Sequence, residues 1–526
     1  MSGGTDVLVV GAGPTGLTAA LQAHEHGATV RIVDRRPEPF RPSRAMMLHA
    51  RALECLRPLG VAGELLDRAD TAPEARIHLG RRVVQVRLGH ADLPDTAFPH
   101  LTLVRQADVE SVLCLALQAR GVPVEWDVEF LDAGPGPLAR TPEEGMLRAR
   151  LRSPQRGTEE HRCRFLAGCD GQSSTVRGLV GADWRGAPYR VETILADLEV
   201  EGDLDPGLLH VAVRSSGMAL LFALGEKATW RLLATREADL QHGTPFLPGG
   251  GDIAAGEVRR IVADSGLGRA GDVRWSARIP LQHRLADSFS RGPAFLAGDA
   301  AHAHSPAGGQ GMNNGILDAA NLGWKLGFAS GGASLPELLE SYGQERRRAA
   351  RQVLALTRAI FLAEASTHPA ARILRGSLLP RAAPALPGVL GCRPLTAAAI
   401  RLLSQPFVNY RHSSISRECA PRAAHWPRAG DRLPDAPVVA GGQATRLHSL
   451  TATPGIHVLI ERDARWDQDT VRWFPPTEAV HVHRLESHPG RAVVCARPDG
   501  YVGFSCAVGD PLQLRDWLRM VGAGGG

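Results

Sequence analysis

Residues 5–34 read TDVLVVGAGPTGLTAALQAHEHGATVRIVD, and this stretch decides the fold. Its apolar run over 7–10 predicts a short buried strand, the pattern over 17–26 predicts a helix, and 29–33 predicts a second strand. A glycine-rich turn at 11–16 joins the first strand to the helix. Strand, turn, helix and strand in this order predict a βαβ unit, which opens a Rossmann-like parallel sheet.

The turn at 11–16 has the GxGxxG spacing of a dinucleotide-binding site. Its glycines permit a tight turn and close backbone approach, so a pyrophosphate can rest on the unpaired N–H groups that start the helix. Asp34 ends the second strand, where a carboxylate accepts ribose hydroxyls and indicates a ribose without a 2′-phosphate. The residues that we expect to contact the dinucleotide here are Gly11, Gly13, Pro14, Thr15, Gly16, Asp34 and Arg35.

Two further motifs follow one another near the middle of the chain. Residues 296–302 read LAGDAAH and place Asp299 at the carboxyl end of a predicted strand, the edge of such a sheet where ligands bind. Residues 306–315 read PAGGQGMNNG, a glycine loop that enters a long helix and can direct N–H groups at an anion. An acid before a helix is by itself most simply a helix cap. The two motifs in succession favour a ligand site.

Charge and composition argue against a nucleic-acid function. The 526 residues correspond to roughly three or four domains, and the net charge is only +5. All basic residues except Lys227 and Lys325 are arginines, and these arginines are scattered rather than grouped with aromatic residues. We therefore expect no nucleic-acid partner.

The termini and cysteines bear on location and metals. No signal peptide is recognisable at the start, and no apolar run approaches the span of a bilayer, so no membrane span is expected. The eight cysteines are dispersed without CxxC or metal-ligand spacing. This pattern predicts reduced thiols in the cytoplasm and no bound metal.

Taken together, three motifs resemble the sequence signatures of the class A FAD-dependent aromatic hydroxylases, a group of flavoprotein monooxygenases. They are the 11–16 turn with Asp34, the stretch from Cys169-Asp170-Gly171 to Arg177, and the stretch from Gly298-Asp299 to the NLGWKL run at 321–326. The phenol-hydroxylase-like and polyketide hydroxylase branch, which has a C-terminal thioredoxin-like domain, is the most similar. Residues 428–436 and 497–500 resemble that domain.

The resemblance implies FAD as cofactor and NAD(P)H as co-substrate, with NADPH favoured. O2 would then form a flavin C4a-hydroperoxide that hydroxylates an aromatic substrate, phenolic or polyketide-like. Asp299 would hold a ribityl hydroxyl of FAD, and the loop from Pro306 would lie against the isoalloxazine. The further cofactor-binding residues that it implies are Arg44, Gln106, Asp170, Arg177, Gly298, Asp299, Pro306, Gly309, Gly311, Met312 and Asn313, of which Pro306, Gly311, Met312 and Asn313 are expected at the reacting ring.

The expected fold class is α/β with four parts. Residues 1–181 and 286–378 form a discontinuous Rossmann-like FAD-binding domain that ends in long helices. An inserted β-sheet substrate domain covers 182–285, because its apolar residues alternate as in an antiparallel sheet. Residues 379–424 are a connector, and 425–521 form a thioredoxin-like domain that lacks CxxC and so cannot exchange disulfides.

Some alternatives stay open at this point. Flavin motifs do not separate hydroxylation from Baeyer-Villiger or epoxidising chemistry, and a non-catalytic FAD-containing protein that binds a drug-like aromatic is a further alternative. A homodimer is one arrangement that the sequence leaves open. His302 and His304 have i, i+2 spacing in a loop, so we interpret them as structural or as lining the substrate pocket. Asp318, later in the following helix, is expected not to hold the cofactor, so Asp318→Ala is the control for Asp299→Ala.

Overall fold

The chain folds into three α/β units, each built around its own sheet. A computed structural model describes residues 4–39, 46–80, 82–87, 93–133, 146–214, 217–224, 230–237, 253–331, 334–365, 373–385, 388–389, 393–405, 407–419, 427–464, 479–506 and 511–524.

The strands in chain order are β1 Thr5–Val10, β2 Val30–Asp34, β3 Met47–Leu48, β4 Glu74–Leu79, β5 Arg82–Arg87, β6 Thr102–Leu103, β7 Val124–Trp126, β8 Glu129–Ala133, β9 Leu147–Ser153, β10 Gly157–Gly168, β11 Trp184–Glu201, β12 Leu208–Arg214, β13 Gly217–Ala223, β14 Trp230–Glu237, β15 Arg269–Ala286, β16 Ser290–Arg291, β17 Ala294–Leu296, β18 His302–Ala303, β19 Arg417–Glu418, β20 Pro437–Ala440, β21 Gln443–Arg446, β22 Ile456–Glu461, β23 Val480–Leu485, β24 Val493–Ala496 and β25 Val502–Cys506. The α-helices are α1 Pro14–Glu25, α2 Ala50–Leu56, α3 Ala62–Asp67, α4 Gln106–Ala119, α5 Thr175–Val180, α6 Ala255–Ser265, α7 Gln310–Ser330, α8 Pro336–Ala365, α9 Leu379–Ala382, α10 Arg393–Leu403, α11 Leu447–Leu450 and α12 Pro511–Met520.

The first sheet has the order β16-β17-β10-β1-β2-β7, and β17, β10, β1, β2 and β7 run parallel. Its central strand β1 buries Val7, Leu8 and Val9 completely, as expected for a strand covered on both faces. Strand β17 arrives from far along the chain, so the domain is discontinuous. This arrangement confirms the predicted Rossmann-like α/β fold.

Helices α1 and α7 pack closely beside this sheet because glycines of α7 face α1. A Cβ atom at Gly323 would lie 2.6 Å from Cβ of Gln22, and one at Gly327 would lie 2.5 Å from Cβ of His26. Contacts this short leave no room for a side chain at these positions unless the two helices move apart. The glycines therefore set the spacing of the two helices whose N-termini face the candidate site.

The second sheet has the order β18-β15-β11-β14-β13-β12-β4-β5. Strands β11 to β15 lie in the expected region 182–285, but β4 and β5 come from residues 74–87. Strand β12 pairs with β4 in parallel, with His210 opposite Arg76. The sheet is thus assembled from separate stretches of the chain, which differs from the continuous insertion expected over 182–285.

The C-terminal sheet has the order β19-β25-β24-β22-β23. Strands β22 and β23 are parallel, whereas β24 is antiparallel to both β22 and β25. This is the strand arrangement of a thioredoxin-like sheet. Strand β19 lies within the expected connector 379–424 but pairs with β25, and the rest of the described connector includes helices α9 and α10.

Buried charges join the first unit to the C-terminal unit. Glu345 of α8 accepts Lys325 Nζ at 2.8 Å and Arg497 Nη1 at 2.7 Å, and Arg497 also donates to Asp499 at 2.6 Å. A second bridge runs from Arg432 to Glu54 of α2 at 2.9 Å. Among the described residues, no helix is both long and apolar enough to cross a membrane.

Candidate active site

The turn after β1 is held tightly against the rest of the first sheet. Gly11 has a φ of +102°, and a Cβ there would lie 2.4 Å from the carbonyl oxygen of Cys169. A Cβ at Gly16 would lie 1.7 Å from the carbonyl oxygen of Gly11, so both positions require glycine. A Cβ at Gly13, in contrast, would contact no described atom within 4 Å. The turn is closed on its protein side and open at Gly13, where a ligand would approach.

Thr15 brings this turn to the second motif. A Cβ at Gly298 would lie 2.6 Å from Thr15 Oγ1, and one at Gly315 would lie 2.2 Å from the same oxygen. Pro14 occupies the first turn of α1, where its missing N–H costs no hydrogen bond. The structure therefore places the two predicted glycine motifs side by side.

Asp34 lies at the end of β2 and is buried. Its carboxylate accepts the N–H of Ala12 at 2.7 Å and binds the Arg36 guanidinium at 2.9 Å. The ion pair is made by Arg36, whereas the predicted Arg35 is exposed. Asp34 thus stabilises the phosphate turn in addition to the role expected toward a ribose.

Asp170 caps α5 from the loop after β10. One carboxylate oxygen accepts the N–H of Thr175 at 2.7 Å and that of Val176 at 3.1 Å. The other oxygen, Oδ1, is buried with no hydrogen-bond partner among the described residues, and burial raises the pKa of this carboxyl group. Buried acceptors normally have a hydrogen-bond partner, so this oxygen beside the Gly11 turn is suited to accept a hydrogen bond from a bound ligand.

Arg177 links this loop to the second motif. Its guanidinium donates to the carbonyl of Ala300 at 3.0 Å and to that of Gln172 at 2.6 Å. It also stacks on Trp184 with 4.0 Å between the guanidinium carbon and the ring centroid. Burial lowers the pKa of Arg177, although Asp170 opposes that effect. The side chain is thus engaged by the protein next to Asp299.

Asp299 and Asp318 lie on opposite sides of one turn. Asp299 is exposed in the short 3-10 turn Gly298–Ala300, directly after β17. Asp318 is fully buried and accepts the N–H of Gly298 at 2.9 Å, His302 Nε2 at 2.6 Å and Arg346 Nε at 2.6 Å. Burial alone would raise the pKa of Asp318, but Arg346 and His302 lower it to about 2.

Sequence reasoning missed Asp318. The available signal was an acid in the middle of the apolar run ILDAANLGW over 316–324, where no residue of α7 is exposed. Asp318 fixes the backbone that carries Asp299, so it supports the candidate site without facing a ligand.

His302 and His304 stack almost parallel, with an angle of 11° and 6.0 Å between ring centroids. His302 forms a hydrogen bond with Asp318. Burial is the main cause that lowers the pKa of His304, and the neighbouring His302 lowers it further. His302 Nδ1 and His304 Nε2 are buried without a hydrogen-bond partner in the described part of the chain. The same part contains no group of three or more His, Cys, Asp or Glu residues that could hold a metal ion.

The loop before α7 turns sharply at two glycines. Gly308 and Gly309 have φ values of +70° and +65°, and the helix begins at Gln310. The first N–H groups of a helix have no partner within it, here those of Gln310, Gly311 and Met312. Of these three residues, Gly311 is the one that is partly exposed. A Cβ at Gly311 would contact no described atom within 4 Å, and Pro306 is exposed. Backbone donors and an open face therefore meet at this helix end.

The side chain of Asn313 is turned toward the protein. It donates to the carbonyls of Met47 and Gly309, both at 2.8 Å, and accepts the N–H of His49 at 2.7 Å. Asn313 thus anchors the loop to β3.

Gln106 and Arg44 are the two remaining residues that were predicted to contact the cofactor. Gln106 starts α4 and donates to Glu110 at 2.8 Å. Arg44 lies outside the described residues.

The arrangement fits FAD. Gly13 and Gly311 leave open faces at two helix N-termini, and Asp299 is exposed in the turn after β17. Asp170 has a buried oxygen without a partner among the described residues. Helix N-termini suit the pyrophosphate and the electron-rich side of a flavin. When bound, FAD supplies the redox and oxygen chemistry, and the protein supplies binding, orientation and electrostatics.

Comparison with known proteins identifies the class. The family model described as FAD binding domain matches residues 4–357. The chain belongs to this family, and it is an FAD-dependent monooxygenase of the class A aromatic hydroxylases. The predicted family, cofactor FAD and enzyme class are thereby confirmed.

Three of the similar proteins come from Streptomyces rimosus. The chain is 31% identical over 95% of both chains to 12-dehydrotetracycline 5-monooxygenase/anhydrotetracycline 6-monooxygenase from Streptomyces rimosus subsp. rimosus. It is 34% identical to 6-methylpretetramide 4-monooxygenase from Streptomyces rimosus over 72% of this chain and 64% of that relative. The solved structure of an anhydrotetracycline hydroxylase from Streptomyces rimosus superposes with a TM-score of 0.76 at 28% identity, covering 99% of this chain and 100% of that one.

Proposed function

We propose that this chain uses NAD(P)H, with NADPH favoured, and O2 to hydroxylate a polycyclic aromatic substrate of the polyketide type. The observation that most supports this proposal is the N-terminal end of α7, where backbone donors lie beside the open face of Gly311. Mere retention of FAD does not need donors at the redox-active ring. The polycyclic preference follows the relatives named for tetracycline intermediates.

The protein's own contribution is binding and charge stabilisation. The N–H groups of Gln310, Gly311 and Met312, with the positive end of the helix dipole, favour negative charge on a ring held there. Asp299 offers an acceptor to a ribityl hydroxyl, and Gly13 admits the pyrophosphate.

The nicotinamide is proposed to visit the flavin only transiently. The sequence contains no second strand-linked GxGxxG that could form a separate NADPH domain. Substrate is therefore proposed to control reduction: NADPH oxidation rises at least about tenfold with substrate, which needs about 1.4 kcal/mol of differential binding to the reducible state. Stopped-flow bleaching of the flavin band with and without ligand measures this, and equal rates would refute the gating.

The central experiment screens phenols and tetracycline-like aromatics for stimulated NADPH consumption and then determines the product. A product that has gained one oxygen on an aromatic carbon supports the proposal. A ring-expanded or epoxidised product replaces it with the corresponding alternative chemistry. Tight ligand binding without NADPH oxidation by the yellow protein would make it a binding protein.

The proposed FAD is non-covalent, because no His or Cys is positioned by a known linkage motif. Denaturation of the purified protein should release free FAD. Flavin that stays attached to the chain would contradict this.

A further inference from the structure

A set of buried polar side chains holds the loop before α7 from behind. His49 Nε2 donates to the carbonyl of Gly308 at 2.9 Å, and burial lowers the pKa of His49 to about 4, so the ring is neutral near pH 7. Gln310 Nε2 donates to the carbonyls of Leu403 at 2.9 Å and of Gly308 at 3.2 Å. Gly308 is therefore held at its carbonyl by two side chains.

Gln405 connects this set to the connector. Its Nε2 donates to Gln310 Oε1 and, at 3.3 Å, to Asn314 Oδ1. The amide nitrogen of Gln310 donates to two carbonyls, so its amide oxygen, Oε1, faces Gln405. Oε1 is an acceptor, so the group opposite it must be a hydrogen-bond donor. Gln405 is 2% exposed, lies just beyond the end of α10, and reaches the first turn of α7.

The backbone at Gln405 is unusual for its residue type. Its φ of +59° lies in the left-handed region, which residues other than glycine, asparagine and aspartate rarely adopt. Its Oε1 is also buried without a hydrogen-bond partner among the described residues. Glycine would adopt this φ more easily and would bury no polar atom, so neither feature serves local stability. Such outliers persist where surrounding structure requires them, often near functional sites.

We propose that Gln405 is a positioning residue for the flavin: by orienting Gln310, it sets the loop 306–311 that receives the isoalloxazine. Through this contact, the position of α10 determines the geometry of the loop. The inference rests on the proposed function only in placing the ring of FAD at this loop.

The test compares Gln405→Glu with Gln443→Glu. The first change keeps side-chain size but puts a carboxylate oxygen against Gln310 Oε1 and Asn314 Oδ1. The second makes the same change on the exposed strand β21. We expect Gln405→Glu to weaken FAD binding by the apoprotein about tenfold, measured by flavin fluorescence. At saturating FAD it should also shift the flavin absorption spectrum and slow reduction by NADPH, while Gln443→Glu matches the wild type.

A third variant, Gln405→Gly, separates positioning from folding. Glycine accepts the φ of +59° without strain but leaves the buried Gln310 Oε1 without its donor, so the apoprotein should unfold somewhat below the wild-type temperature, and the flavin spectrum and reduction rate should change at temperatures where the variant is still folded. If both Gln405 variants keep the wild-type spectrum and reduction rate, or change only the unfolding temperature, the proposal is overturned. Failure of wild-type protein to bind FAD or oxidise NADPH would instead refute the proposed function.

Discussion

Asp299 and Asp318 adjoin the same turn, yet their surroundings give the two carboxylates different roles. Asp299 is exposed, whereas Asp318 is surrounded by the N–H of Gly298 and by two cationic or potentially cationic side chains, Arg346 and His302. A ligand can reach only the first carboxylate. The second is part of the protein's internal structure, so the two substitutions below should separate cofactor binding from stability.

Asp299→Ala should weaken FAD binding without lowering the stability of the apoprotein. Loss of a charged acceptor for a ribityl hydroxyl costs about 1.5 to 3 kcal/mol, or roughly 10- to 100-fold in affinity. Titration of apoprotein with FAD measures the change. Asp264→Ala, an exposed acid on α6, serves as the control. Equal affinity in wild type and Asp299→Ala would refute the assignment.

Asp318→Asn should destabilise the fold by about 3 to 5 kcal/mol, because it leaves Arg346 buried without its carboxylate partner. The folded-state pKa of about 2 lies below the usual unfolded value of about 3.9, so this stabilisation is complete above about pH 4 and is lost as the pH falls toward 2. Urea unfolding at pH 7 and pH 3 should show that the variant loses less stability on acidification than the wild type. A variant as stable as the wild type at pH 7 would contradict the structure.

Candidate ligand residues could be named from sequence where a motif has a fixed spacing. The phosphate turn and Asp299 belong to such motifs, and the structure places them side by side through Thr15. Asp318 and Gln405 were missed for physical reasons: a buried ion pair depends on partners far along the chain, and a left-handed φ at glutamine leaves no trace in residue type. The choice of Arg36 over Arg35 depends on backbone direction after β2, which a pattern does not resolve.

Helices α1 and α7 illustrate how elements constrain one another. Their helical periodicity was readable, but their separation depends on glycines whose absent side chains admit Gln22, His26 and Thr15. Strands β4 and β5 show the opposite case, because alternation predicts a strand without naming the sheet that it joins. The pairing of β4 with β12 joins stretches that are far apart in the sequence, so it depends on tertiary packing rather than on the local pattern.

Gly323→Ala should destabilise the protein by about 1 to 3 kcal/mol through overpacking of α7 against α1. The added Cβ would lie 2.6 Å from Gln22 Cβ and 2.9 Å from the carbonyl oxygen of Ala19, a backbone atom that cannot move aside cheaply. Gly178→Ala in α5, where a Cβ meets no described atom within 4 Å, should be neutral or stabilising by up to about 1 kcal/mol. Thermal unfolding of both variants checks the pair, and equal shifts would argue against close packing.

At the scale of the whole molecule, buried ion pairs join the C-terminal unit to the first unit. A buried charge without a partner is costly, so neither unit is expected to separate from the other. Glu345, Lys325 and Arg497 are each fully buried where the units meet. Burial alone would raise the pKa of Glu345, but Arg497 and Lys325 hold it well below its usual range. Separating the units would leave these charged side chains without their partners, so the thioredoxin-like unit is expected to act as a structural part of the enzyme.

Arg497→Ala should therefore destabilise the chain by about 3 to 5 kcal/mol, since it leaves Glu345 and Asp499 short of a buried partner. In the wild type, flavin release and loss of amide protection in the C-terminal unit should occur at the same temperature. Hydrogen exchange detected by mass spectrometry together with flavin fluorescence measures both. Release of flavin well after the C-terminal unit has unfolded would show that the two units are independent.

The discontinuity of the first sheet has a consequence during synthesis on the ribosome. Strands β2 and β10 can pair with β1 soon after they emerge, but β17, which pairs with the other edge of β10, ends only at residue 296. At roughly 5 to 20 residues per second, about 6 to 26 s pass between the end of β10 at residue 168 and the end of β17. During that interval the edge of β10 that receives β17 is unpaired, so the yield of active enzyme should depend on translation speed and on chaperones that shield the growing chain.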